Sequence, residues 1–84
     1  MYRFTAEGTV KKIKDPEVCN KTGYVKRVMI LENEKGSTIA PEFNPRSFKM
    51  LIGLKEGDQV KVEFGAKPQH EKFHYFKVLK LEVI

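Results

Sequence analysis

Eighty-four residues, 40% of them hydrophobic, make one small domain around a single core and leave no room for a second. No apolar run approaches the ~20 residues of a membrane-spanning helix, and Met1-Tyr2-Arg3-Phe4 opens directly into alternation, so no membrane segment or leader is expected and the cytoplasm is the default location. Sixteen Lys+Arg against eleven Asp+Glu leave a net charge of +5, which favours a polyanionic partner, and the lone Cys19 excludes an internal disulfide.

Residues 2 to 10 place Tyr2, Phe4, Ala6, Gly8 and Val10 against Arg3, Thr5, Glu7 and Thr9, a first strand with one wet face. Val10 and Ile13 are three apart and cannot share a strand face unless a bulge at Lys11-Lys12 restores the register and curls the strand. Gly8 suits a bend or a close backbone approach. Lys14 to Gly23 carries Asp15-Pro16 and Asn20 through Gly23, which is turn chemistry. Tyr24 to Glu32 is a second strand. Its core face is open between Met29 with Leu31 and Val28 with Ile30, and both pairs are covered if two sides of a closed barrel share the strand.

Asn33 to Gly36 is a polar turn, and Ser37 to Phe43 is a third strand weakened at Pro41, which has no N–H for a ladder. Asn44-Pro45 reads as N-cap and first helical position, with Gly53 past the end. Phe48, Leu51 and Ile52 give this short helix an apolar stripe, placed to plug one end of a barrel. In Leu54 to Phe64, LKEGDQVKVEF, a Gly57-Asp58 turn leads into Val60, Val62 and Phe64 at alternate positions, a fourth strand with one buried face. Gly65 to Lys72 is a second loop, and Phe73 to Val83 a final strand needing one bulge near Lys77 to Leu79. The order strand, strand, strand, short helix, strand, strand predicts an all-β, five-stranded OB-fold Greek-key barrel spanning residues 1–84.

A cationic and aromatic constellation gathers around the two loops. Lys11, Lys12, Lys14 and Lys21 surround the first; Lys67, His70 and Lys72 surround the second; Tyr24, Phe73 and Tyr75 stand at the adjoining strand ends. Single strands are held by cations tracking the backbone and by rings stacking on bases, at ~1–3 kcal/mol per stacked base.

With G-T-V-K-K-I in strand one, the lone helix, L-K-E-G-D-Q-V-K-V-E-F in strand four and F-H-Y-F-K-V in strand five, the chain resembles a bacterial and phage family of short, single-domain OB proteins of unknown function. That family is similar in shape to primosomal replication protein N and to single-stranded DNA-binding proteins. The resemblance covers nearly the whole chain and implies a single-stranded nucleic acid groove across strands two and three, walled by the two loops. By position it carries over to Lys26 and Arg27 on strand two, Phe43 at the end of strand three, and Phe73, His74 and Tyr75 opening strand five. The tryptophans common in that family's strands three and five are absent, and Phe43 and His74 stand near their places. No flexible acidic tail follows Val83-Ile84, which speaks against recruitment of repair enzymes through such a tail.

His70-Glu71-Lys72-Phe73-His74 matches H-E-x-x-H, a zinc-peptidase pattern that works only on a helix, where the two His lie one turn apart. The run into Val78, Leu79, Leu81 and Val83 favours strand, on which residues four apart are separated by ~13 Å and cannot share a metal. No phosphate-cradling glycine loop is present, and nothing positions Cys19 beside a histidine, so no catalyst, metal or cofactor is expected. An exposed first strand favours a homodimer, with Tyr2, Phe4, Val83 and Ile84 as candidate contacts. The sequence thus points to a binder of single-stranded DNA, with RNA as the other candidate target, of low sequence specificity and serving replication, recombination or repair. The alternative is the same barrel as a protein-interaction or assembly module, favoured by the interleaved acids Glu32, Glu42, Glu63 and Glu71.

Overall fold

A computed structural model describes residues 2–66, 68–69, 72–73 and 77–84. In chain order the elements are β1 (Tyr2–Ile13), β2 (Glu17–Val18), β3 (Val25–Glu32), β4 (Thr38–Ile39), β5 (Glu42–Phe43), a 3-10 helix (Pro45–Leu51), β6 (Gln59–Ala66), β7 (Pro68–Gln69), β8 (Lys72–Phe73) and β9 (Lys77–Val83). β1 pairs antiparallel with both β3 and β6, β3 antiparallel with β4 and β5, and β6 antiparallel with β9. A parallel contact between β5 and β9, at Glu42 and Lys77, completes the ring. The third sequence strand is the broken pair β4 and β5, so the closed barrel has five strands with the helix between the third and fourth. This is the all-β OB-fold Greek-key order expected from the sequence. Among the described residues no helix is long and apolar enough to cross a membrane.

Both expected bulges form. The β1–β3 register passes from Val10 opposite Leu31 to Lys12 opposite Ile30, leaving Lys11 as the extra residue. The β6–β9 register slips between Glu63, opposite Lys80, and Phe64, opposite Val78. Each slip bends its strand and increases local twist, and the curl lets five short strands close. Gly8 is where β3 presses onto β1: a Cβ there would lie 2.5 Å from the Glu32 carbonyl oxygen.

The core resolves the ambiguity of the second strand. Met29 and Leu31 are buried, while Val28 and Ile30 are half-buried on the outer face. They meet Val10, Val60, Val62, Phe64, Val78 and Phe43. Pro41 breaks the third strand, yet its carbonyl still accepts the Met29 N–H at 3.1 Å.

The helix is a 3-10 helix opened by a reciprocal cap: Ser47 N–H donates to Asn44 Oδ1 and Asn44 N–H donates to Ser47 Oγ, each at 3.1 Å. Pro45 takes the first helical position as expected, and Gly53, at φ 80°, turns the chain out. Tighter winding changes the apolar stripe. Leu51 is buried and Phe48 packs on the core, but Ile52 is 83% exposed and Met50 packs inward instead. Three residues per turn do not keep the Phe48, Leu51, Ile52 stripe of an α-helix on one face.

The segment expected as a second loop is shorter than the sequence suggested. Gly65 and Ala66 remain in β6, and Pro68 with Gln69 pairs with Phe73 and Lys72 in a small ladder. Residues 77–83 are strand, so the helix over residues 69–84 that the zinc reading requires does not form. His70, Glu71 and His74 themselves lie outside the described residues. No group of three His, Cys, Asp or Glu side chains placed to hold a metal occurs among the described residues.

Candidate nucleic-acid interface

On the outer face of β3, between the first loop and the start of β9, lies a groove of about 870 Å³. Its far wall is β2 with the turn that follows: Glu17, Val18, Cys19 and Thr22. Its floor carries Tyr24, Lys26 and Glu42, and Asn44, Gly65 and Lys77 complete the near wall. β2 exists because Glu17 and Val18 pair with Lys26 and Val25, so the first loop folds back along β3 instead of projecting from the barrel. The following turn is closed by the Gly23 N–H donating to the Cys19 carbonyl at 2.7 Å and by the Cys19 N–H donating to the Tyr24 carbonyl at 2.8 Å.

Of the residues the sequence nominated, Tyr24 and Lys26 line this groove. The Tyr24 ring is 49% exposed. Lys26 Nζ lies 2.7 Å from Glu42 Oε1, a contact that holds the Lys26 ammonium above its ordinary range; partial burial opposes it, and Glu17 adds a weaker push upward. Lys21 is exposed in the turn that forms the far wall. Lys12 and Lys14 are exposed at the end of β1 and just beyond it, and neither makes an ion pair among the described residues. Lys11 reaches Glu32 at 3.6 Å, and the Arg27 Nε–H donates to the Lys14 carbonyl at 3.2 Å, bracing the first loop.

Phe43 requires a correction. Placed in the groove by the resemblance, it is fully buried and among the largest fully buried side chains of the core. In β5 its neighbour Glu42 takes the outer face, and strand alternation then sends Phe43 inward. Lys72 and Phe73 lie on β8 and are placed by their backbone alone. Lys67, His74 and Tyr75 lie outside the described residues.

The sequence reading missed Val18, Cys19, Asn44 and Lys77 as groove residues. Val18 is 60% exposed. The Cys19 thiol is held below its ordinary range, first by a hydrogen bond from the Thr22 hydroxyl and then by the backbone N–H groups of Thr22 and Lys21. Each of these donors favours the thiolate. The groove thus combines a half-exposed ring, an exposed valine and a polarised thiol with two lysines and two glutamates.

Fold and groove together define a small OB-fold barrel with a ligand-sized depression on its second and third strands. No protein-family model matches the chain, and no curated protein matches it in sequence.

Proposed function

We propose that this barrel binds single-stranded nucleic acid, DNA before RNA, with low sequence preference, and that it acts without catalysis in replication, recombination or repair in the cytoplasm. The observation that carries this reading is the Tyr24 ring, half exposed in a groove whose far wall is the turn that carries the exposed Lys21. A ring in that position stacks on an unpaired base, and exposed lysines neutralise the flanking phosphates. The net charge of +5 and the resemblance in pattern to short OB proteins similar to primosomal replication protein N point the same way.

The test is fluorescence anisotropy of a labelled oligothymidine at low and high salt, with a duplex control. Binding should prefer the single strand and weaken with salt, and Tyr24→Ala should weaken it by about tenfold or more. No binding at low salt would retire the reading.

A specific observation favours a second one. Lys26 is already paired with Glu42, and the described groove residues alternate in sign. A mixed-sign groove with an exposed valine suits a peptide or protein surface, and this barrel would then be an assembly module. Failure to bind oligothymidine even at low salt would favour it.

A further inference from the structure

We infer that the N-terminal half of β1 is a self-pairing edge, and that two copies of this chain join through it antiparallel, in a register centred on Thr5. β1 is held by β6 from Tyr2 to Thr9, but β3 takes its other edge only from Thr9 onward. Among the described residues no strand pairs with the second edge between Arg3 and Glu7.

The direction of the backbone groups follows from Val10. Its N–H donates to the Asp58 carbonyl at 2.9 Å and its carbonyl accepts the Gly57 N–H at 2.7 Å, so Val10 points toward the β6 side. The β1–β6 register is continuous from Tyr2 to Thr9, and alternate residues of an antiparallel strand turn their polar groups to opposite edges. Arg3, Thr5 and Glu7 therefore present their N–H and carbonyl groups to the open edge. A row of such groups templates another strand.

The side chains select the occupant. Thr5 is the midpoint of the open window. A two-fold axis there sets Thr5 opposite Thr5 of the second copy and Arg3, whose guanidinium lies 3.6 Å from Glu63 of its own β6, opposite Glu7 of the second copy, twice by symmetry. The pairing residues are the ones whose backbone groups face outward, so the backbone and side-chain registers coincide. Edge charges commonly serve to repel other strands. Opposite charges at positions exchanged by the two-fold attract a second copy instead, and a threonine pair at the centre is favourable. On the other face, Phe4, stacked on its own Phe64 with ring centroids 5.8 Å apart, meets only the small Ala6 of the second copy. Gly8 and Thr9 end the window, because β3 crosses there.

The experiment is light scattering with sedimentation over a concentration series, without nucleic acid, so its outcome is independent of the groove's function. The chain should be a dimer. Glu7→Arg should raise the dimer dissociation constant about tenfold or more, by turning two attractive pairs into repulsive ones. Arg3→Glu combined with Glu7→Arg should restore it in part, because a carboxylate at position 3 also faces Glu63 of its own β6. Thr5→Pro should also give a monomer, since the N–H it removes faces away from β6. In a Cys19→Ser background, Thr5→Cys should oxidise to a covalent dimer, because residues opposed in a hydrogen-bonded pair have Cα atoms about 5.5 Å apart. Should Thr5→Pro fail to fold, the charge exchange and the cross-link decide. A monomer at every concentration, or a dimer that survives Glu7→Arg and does not cross-link through Thr5→Cys, would overturn the inference.

Discussion

Lys26 Nζ and Glu42 Oε1 meet at 2.7 Å and tie β3 to β5 on the floor of the groove. Their residues are sixteen apart in sequence, and the pairing of Val28 with Glu42 brings them together. The contact takes one cation away from any bound phosphate. Glu42→Gln is expected to tighten oligothymidine binding at low salt and to steepen the salt dependence by about 0.7 in the logarithmic slope, the value for one further phosphate contact to a single strand. Salt titrations of the two proteins measure it. An unchanged slope would mean that Lys26 does not meet phosphate.

The same pair sets an alkaline limit. Glu42 raises the Lys26 ammonium above the ordinary lysine value of 10.5. A group whose folded value is raised contributes stability in full below the unfolded value and loses it as pH rises through the folded one. The stability gap between the natural protein and Glu42→Gln, about 1 kcal/mol or less for a partly exposed pair, should be constant from neutral pH to about pH 10 and shrink above it. Urea titrations at pH 7 and pH 11 give both ends of the curve.

Gly8 separates strand crossing from simple flexibility. A methyl group there would sit 2.5 Å from the Glu32 carbonyl oxygen and 3.1 Å from a Leu31 side-chain carbon. The nearer atom is backbone inside a ladder and cannot swing aside. Gly8→Ala is expected to destabilise the fold by about 1–3 kcal/mol, the cost of overpacking a tight contact. Alanine at Gly23, where nothing lies near a Cβ, would by contrast cost only the strain of its positive φ. Thermal melts of the two variants compare these causes.

The barrel was legible wherever one face of a strand is dry and the other wet. Val60, Val62 and Phe64 alternate with Lys61 and Glu63, and both bulges showed as slips in that alternation. Phe43 was not legible, because Glu42-Phe43 is a two-residue strand beyond Pro41, too short for a period. Its inward face is fixed only by pairing with Arg27 and by the parallel contact with β9. The groove was half legible for the same reason. Tyr24 at a strand end beside the first loop was legible as a groove ring, whereas Glu17-Val18 became a wall only by folding back to pair with Lys26 and Val25. The 3-10 winding, which exposes Ile52, left no mark in a pattern read at 3.6 residues per turn.

Burial of Phe43 has a direct consequence for mutagenesis of the site. Phe43→Ala is expected to cost about 3–5 kcal/mol of stability, a large share of what a domain this size has. Any loss of binding in that variant would follow unfolding. Tyr24→Ala, at a half-exposed ring, should leave the melting temperature nearly unchanged. Melting curves recorded beside the binding curves separate the two, and a stable Phe43→Ala protein would show that the core is packed differently.

Cys19 offers a probe of the groove without any ligand. Its thiol is fully exposed, and its thiolate is favoured by the Thr22 hydroxyl together with the Thr22 and Lys21 N–H groups. The rate of alkylation by iodoacetamide follows the thiolate fraction, so its pH midpoint should fall below the ordinary cysteine range. Thr22→Val removes the largest contribution and should move that midpoint upward while leaving the limiting rate at high pH nearly the same. Because Cys19 lines the wall opposite Asn44 and Lys77, a bulky maleimide on it should also block whatever occupies the groove. Oligothymidine binding that survives full labelling would place the nucleic acid elsewhere on the barrel. Binding lost on labelling, but retained after modification with a group the size of a methyl, would place it in the groove beside Tyr24.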